Sequence, residues 1–367
     1  MTMSDILIIG GGVIGLLTAR ELANSGAKVT LVEMGDTGQE SSWAGGGILS
    51  PLYPWRYAGS VTALASWSQQ VYPDLCTELF DSTGIDPEYN RCGLMILDEE
   101  QRDIALAWAE THQAQLQLIG SDEIQAKEPG LEPPMPEALW FPDVGQIRNP
   151  RLTKALRIAI EKHISIREQE EVLELRAENG RITGARTTAG QIDADRVIVC
   201  TGAWTARLVE KLGSKPDIRP VRGQMILFCA KPDQIHHLTL FRERYVIPRK
   251  DGRVLIGSTL ENAGFDKRTT AEAKEELYRA AFELFPLLKR TPIEDHWAGL
   301  RPASPSGIPY IAPYPEIEGL FINAGHFRNG LVTGPASARL IADLVLDRDP
   351  ILPPAPYRLD APRRSSW

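Results

Sequence analysis

Two groups of residues in this chain have the types and spacing to do chemistry. The first is Gly10-x-Gly12-x-x-Gly15, with Glu33 eighteen residues further on. That spacing suits a dinucleotide. Gly10 lets the backbone turn sharply, Gly12 lets it approach a pyrophosphate, and Gly15 lets a helix pack on the strand before it. An acid at the end of the next strand accepts hydrogen bonds from a ribose diol. The second is Arg301, in the stretch HWAGLRPASPSGIPYI (residues 296–311), set among Trp297, Ala298, Gly299, Leu300 and Pro302. A guanidinium does not shed its proton, and burying one without a partner is costly. Arg301 is therefore either a surface residue or the receptor for an anion that the chain itself does not supply.

The elements needed to position these residues are legible around them. The stretch DILIIGGGVIGLLTARELANSGAKVTLVE reads as strand, tight turn, helix and strand. Ile6 to Ile9 form a short apolar run of the buried-strand kind, and Leu16, Leu17, Ala19, Leu22 and Ala23 recur at helical spacing until Ser25-Gly26. The helix start then offers free N–H groups and partial positive charge to a phosphate. Further on, QESSWAGGGILSP (residues 39–51) places hydroxyls and glycines where a second close approach to a cofactor is possible. ADRVIVCTGAWTARL (residues 194–208) is a strand running into Thr201-Gly202 and a helix. GLFINAGHFRNGLVTGPASARLIADLVL repeats the scheme near the other end, as strand, Gly-rich loop and helix. YVIPRKDGRVLIGSTLE (residues 245–261) reads as a hairpin turning at Lys250-Asp251-Gly252, with Tyr245 and Ile247 on one face and Val246 and Pro248 on the other.

Taken together, IIGGGVIGL, SSWAGGGIL, YVIPRKDGRVLIGST, HWAGLRPASPSGIPYI and NAGHFRNG resemble the FAD-dependent D-amino-acid oxidase family along nearly the whole chain, and most closely its glycine-oxidase branch of the thiamine-biosynthesis type. The resemblance implies a fold: α/β (α+β overall), with a doubly wound, Rossmann-like FAD-binding domain from 1–80, 146–220 and 300–367. An antiparallel-sheet substrate domain would come from 81–145 and 221–299. It implies non-covalent FAD held by Gly10, Gly12, Val13, Ile14, Gly15, Glu33, Met34, Ser41, Ser42, Gly46, Gly47, Ile48, Val172, Thr201, Gly202, Gly325, His326, Phe327, Arg328, Asn329, Gly330, Leu331 and Val332.

On the substrate side it implies that Arg301 grips a carboxylate and that Tyr245 adds a hydrogen bond, with Arg328 at the mouth of the site. A planar guanidinium suits this task because it binds a carboxylate through two parallel N–H bonds. Leu260 falls where the family pocket has an apolar wall residue, often Met. Glu243 stands where a related member carries histidine, and there an acid could change the charge of the entrance. The implied reaction is oxidation of glycine or another small primary or secondary amino acid by hydride transfer from Cα to flavin N5. Oxygen is the acceptor, and the products are an imino acid, then a 2-oxo acid and ammonia, and hydrogen peroxide. The resemblance also implies an alternative fate, in which the imino product supplies the thiazole part of thiamine. A sarcosine or D-amino-acid oxidase, an oxidase of a larger N-substituted amino acid, a quinone-linked dehydrogenase and a non-catalytic flavoprotein subunit remain open on sequence. The resemblance further implies a homo-oligomer, a tetramer.

Composition narrows the classes. The 367 residues carry a net charge of −8, which disfavours a nucleic-acid partner. Cys76, Cys92, Cys200 and Cys229 form no C-x-x-C pair and are too sparse for a disulfide scaffold or a zinc site, so no metal and a reducing, cytoplasmic setting are expected. The apolar run ILIIGGGVIGLL is short and broken by glycines, which argues against a signal or membrane anchor. The Pro-rich tail at residues 351–367 reads as an extended surface segment.

Overall fold

The computed structural model describes residues 5–363. Its first sheet has six strands in the order Tyr310–Pro313, Leu320–Ala324, Arg196–Val199, Ile6–Ile9, Val29–Val32, Ser165–Arg167. All neighbours pair in parallel except Tyr310–Pro313, which runs against Leu320–Ala324. The first strand explains why such a run is continuously apolar. Its side chains alternate between two cores: Ile6 and Ile8 pack against helices, and Leu7 and Ile9 pack on the opposite face.

The helical face is built by Val13–Asn24, Asn149–Ile160, Gly59–Thr83 and Gly334–Val345. The other face is covered by the meander Val172–Glu178, Arg181–Thr187 and Gly190–Asp193, which contributes Leu175, Ile182, Ala185 and Ile192.

The second sheet has eight strands in the order Ile293–Ala303, Arg219–Cys229, Arg253–Gly257, Arg244–Pro248, Leu238–Phe241, Leu94–Ile96, Glu137–Phe141, Gln117–Gly120. It is antiparallel apart from the pairing of Leu238–Phe241 with Leu94–Ile96. Here too, alternation sorts side chains. Val246, Val254 and Ile256 pack with Leu277 and Ala281 of the helix Ala271–Leu284, while Tyr245, Ile247, Leu255 and Met225 face the other way. The strands Arg219–Cys229 and Ile293–Ala303 pair along most of their length. They carry the chain across the positions 220/221 and 299/300, where the sequence reading placed domain boundaries.

The described part of the tail lies on the surface as expected, with one buried anchor. Tyr357 is buried, and its hydroxyl donates to the Ser60 carbonyl at 2.8 Å. Arg363 donates to the Ile308 carbonyl at 3.1 Å and lies over the Tyr310 ring. The proline-rich segment is thus held by a buried aromatic with a satisfied hydroxyl and by the Arg363 contacts. Residues 364–367 of that tail lie outside the described residues.

Candidate active site

An elongated cavity of about 520 Å³ runs from the glycine turn after Ile6–Ile9 to the inner face of the eight-stranded sheet. At one end it is lined by Gly10, Gly12, Val13, Ile14, Glu33, Met34, Ser41, Ser42, Val172, Thr201 and Gly202, and further along by Gly46, Gly47 and Ile48. The Gly10 backbone has φ +107°, and a Cβ there would lie 2.6 Å from the Cys200 carbonyl oxygen. Gly15 lies behind this wall. A Cβ on it would overlap the Gly10 carbonyl oxygen, so glycine is what allows the helix to sit against the turn. Glu33 is pre-positioned by two backbone donors, Gly11 N–H at 2.7 Å and Gly35 N–H at 3.0 Å. Each carboxylate oxygen keeps lone-pair capacity for a further donor. Ser42 Oγ accepts from Val13 N–H at 2.8 Å, which ties the Ser-rich segment to the helix start.

The other end is lined by Met225, Tyr245, Ser258, Arg301, His326, Phe327, Arg328, Gly330 and Leu331. Arg301 Nη1 donates to the Thr259 carbonyl at 3.2 Å, and Nη2 donates to Ser258 Oγ at 2.5 Å. Among the described residues no carboxylate lies within ion-pair distance of it. Burial holds its pKa below the ordinary guanidinium value. Tyr245 beside it offsets part of this, and the nearby charge of Arg328 adds to it. Arg328 differs, because its Nη1 lies 2.9 Å from Glu243 Oε2.

His326 is buried, and its Nε2 has no hydrogen-bond partner among the described residues. Burial pushes its pKa down to about 3. It is therefore a neutral imidazole at working pH, with one ring nitrogen left for a ligand or water. The linkage has a definite sign. The unfolded histidine takes up its proton below about pH 6.5 and the folded one only near 3, so stability falls as pH drops through that window. The slope is at most about 1.4 kcal/mol per pH unit. His326→Gln should flatten the decline of chemical-denaturation midpoint between pH 6.5 and 4, and an unchanged profile would place the imidazole in contact with water.

Six of the expected residues do not line the cavity. Gly15, Gly325, Asn329 and Val332 stand behind it and shape it. Gly325 adopts φ +84°, and its carbonyl accepts from Ser304 Oγ at 2.6 Å. Glu243 sits behind Arg328. Leu260 is a correction: it is 48% exposed and contributes no apolar wall. Thr259 turns inward to take the Gln224 N–H at 2.9 Å, and Glu261 turns toward Arg222. The residue between them is thus directed outward. Met225 and Leu52 line the cavity with apolar surface instead.

Several contributors escaped sequence reading: Met225, Ser258, Gly223 and Arg249. Arg249 donates to the carbonyls of Gly46 and Ile147 at 2.8 and 3.0 Å and so fixes the backbone of the glycine loop. Gly223 carried a usable signal, since a glycine inside a strand often marks a close approach. A Cβ there would overlap the Arg301 guanidinium. Because that group is the far end of a flexible side chain, the added methyl should displace it without unfolding the sheet. Gly223→Ala is expected to lower kcat/KM about a hundredfold, the scale of a misplaced anchor, with an unchanged melting temperature. Retained activity would show that the guanidinium has room elsewhere.

These features fit a dinucleotide with a second ring system: a glycine cradle and ribose acceptor at one end, a neutral buried imidazole and a glycine loop at the other. Cys200 borders the cavity, but burial pushes its thiol up to about 12, so it offers no thiolate for covalent attachment. The model of the family described as FAD dependent oxidoreductase, DAO, matches residues 5–344. The chain belongs to that family. As an FAD-dependent oxidoreductase it is 49% identical over 354 residues to the glycine oxidase of Pseudomonas aeruginosa, covering 96% of this chain and 97% of that one. The crystal structure of glycine oxidase from Geobacillus kaustophilus superposes with a TM-score of 0.93 at 31% identity, covering 98% and 99% of the two chains. The chain is also 31% identical to the bifunctional protein ThiO/ThiG of Synechocystis, over 95% of its own length and 52% of that protein's. Among the described residues no helix is long and apolar enough to cross a membrane, and no cluster of His, Cys, Asp or Glu could hold a metal ion.

Proposed function

We propose that this FAD-dependent oxidoreductase oxidises glycine, and more generally small primary or secondary amino acids, to the imino acid, with oxygen as the final acceptor and hydrogen peroxide as the second product. The observation that carries this reading is Arg301. It is an enclosed cation at the cavity wall whose protein partners are a carbonyl and a hydroxyl, not an acid. A substrate carboxylate completes its hydrogen bonding and its charge, and the Tyr245 hydroxyl beside it supplies a further donor. FAD, when bound, supplies the two-electron acceptor. The residues of the chain hold the carboxylate so that Cα faces that acceptor, exclude water with Met225, Leu52 and Phe327, and present His326 as a neutral polar group. The names of the similar proteins support glycine as substrate and supply of the imino product to thiazole formation. Four free cysteines suit a cytoplasmic setting, and a homotetramer is the assembly to test by light scattering.

Anaerobic mixing with glycine, sarcosine and D-alanine, followed by flavin absorbance, tests the reading. Bleaching by glycine, with peroxide formed on admitting air, is the expected result. Bleaching by sarcosine or D-alanine alone would keep the anchor and move the substrate, and no bleaching by any of the three would sink the small-amino-acid oxidase.

A further inference from the structure

Arg207, Arg301 and Arg328 line this cavity; Arg301 and Arg328 stand with Tyr245 and His326 at the end away from the glycine turn, and they are not equivalent. Arg301 meets only neutral oxygens. Arg328 is paired with Glu243, and the other oxygen of that carboxylate is taken by Arg56. The arrangement is built rather than incidental. Glu243 occupies left-handed backbone at φ +66°, next to Arg242 at φ +47°. Its N–H donates to Tyr53 Oη at 3.2 Å, and the same phenol donates to Asp98 at 2.6 Å. Asp98 in turn accepts the Arg242 N–H at 2.9 Å. The backbone carrying Glu243 is thereby anchored, and its carboxylate is directed at Arg328, whose side chain is only 13% exposed.

We propose that Glu243 masks Arg328, so that the cavity accepts amino acids with one carboxylate and rejects those carrying a second. This rests on the reading of Arg301 as the carboxylate anchor. Once Arg301 holds the first carboxylate, a second acidic group on the substrate would have to reach Arg328, whose guanidinium is already engaged by the Glu243 carboxylate behind it. Like charges at such a site discriminate against the wrong ligand. Arg56 and Glu243 are each 42% exposed, so solvent screens both charges; the block rests on Glu243 occupying the enclosed Arg328 rather than on bare repulsion. Removing the charge of Glu243 while keeping its shape leaves Arg328 enclosed without an acid, free to grip a second carboxylate through its planar fork.

The test compares the holoenzyme with Glu243→Gln and with Glu243→Gln/Arg328→Gln. Sarcosine and N-(carboxymethyl)glycine are both secondary amines and differ by one carboxylate. The ratio of their kcat/KM values should shift about tenfold or more toward the dicarboxylate in Glu243→Gln and return in the double variant. Acetate and malonate, followed by perturbation of the flavin spectrum, should show the same shift in the ratio of their Kd values. The acid ratio needs no turnover. If the wild type binds acetate yet oxidises no amino acid, the oxidase reading fails while the masking is still decided by the two acids. Unmoved ratios overturn the masking, and acids that perturb the flavin in no variant overturn both. Should Glu243→Gln fail to retain FAD, Glu243→Asp shortens the same arm and should move both ratios in the same direction by a smaller factor; no movement there overturns the proposal equally.

Discussion

Arg301→Ala should lower kcat/KM for glycine about a thousandfold, ~4 kcal/mol of transition-state stabilisation, while the protein remains yellow with an unchanged flavin spectrum. The magnitude follows from the environment. The substrate carboxylate would enter an enclosed site prepared for an anion, and without the guanidinium it would lose both hydrogen bonds and the opposite charge. Arg301→Lys should recover little of this, because an ammonium cannot reproduce the planar fork that spans Thr259 and Ser258. The loss should appear mainly in KM if the anchor only binds, and in kcat as well if it also aligns Cα. A colourless Arg301→Ala protein would instead make this arginine part of the cofactor site. Wild-type kinetics would remove it from catalysis altogether.

The second large effect is expected at the opposite end of the cavity. Gly15→Ala should yield protein with little bound FAD and a stability loss of about 3 kcal/mol or more. The added methyl overlaps the Gly10 carbonyl oxygen, which belongs to the backbone, so no side chain can rotate away to make room. The helix Val13–Asn24 must move off the turn, and its first N–H groups leave the cavity with it. Gly26→Ala is the matching control. Gly26 also has positive φ, at +78°, but a Cβ there meets nothing within 4 Å, so it should cost only about 1 kcal/mol and leave FAD content intact. Equal FAD loss in both variants would mean that general destabilisation of the strand–helix–strand unit, not the close approach at Gly10, governs binding.

What could be read from sequence was what is local. The glycine turn, the acid after Val29–Val32 and the hairpin at Tyr245 each rest on residues within one supersecondary unit, and the structure forms each of those units. Arg301 was singled out by the lack of a nearby acid, and in three dimensions too its partners are neutral. What the sequence left unread comes from distance and alternation. Glu243 reaches Arg328 across 85 residues and Arg56 across 187, spacings at which no sequence pattern records a pair. Leu260 was placed by position in a motif, but two inward-turning neighbours direct it to solvent. Met225 and Gly223 lie on a strand whose polar residues Arg222 and Gln224 are engaged with Glu261, and only pairing with Ile293–Ala303 brings that strand beside Arg301.

The order of strands in the six-stranded sheet has a consequence for how the protein is made. Ile6 pairs with Val29 on one side and Arg196 on the other, and the strand of Arg196 pairs in turn with Leu320–Ala324. During synthesis at about 5–20 residues per second, the first strand therefore waits on the order of 10–40 s for its second neighbour. The loop carrying His326 and Arg328 emerges later still. Cofactor loading is thus a late event on the ribosome or after release, and for most of its synthesis the nascent chain holds an apolar parallel edge open to chaperones and to aggregation.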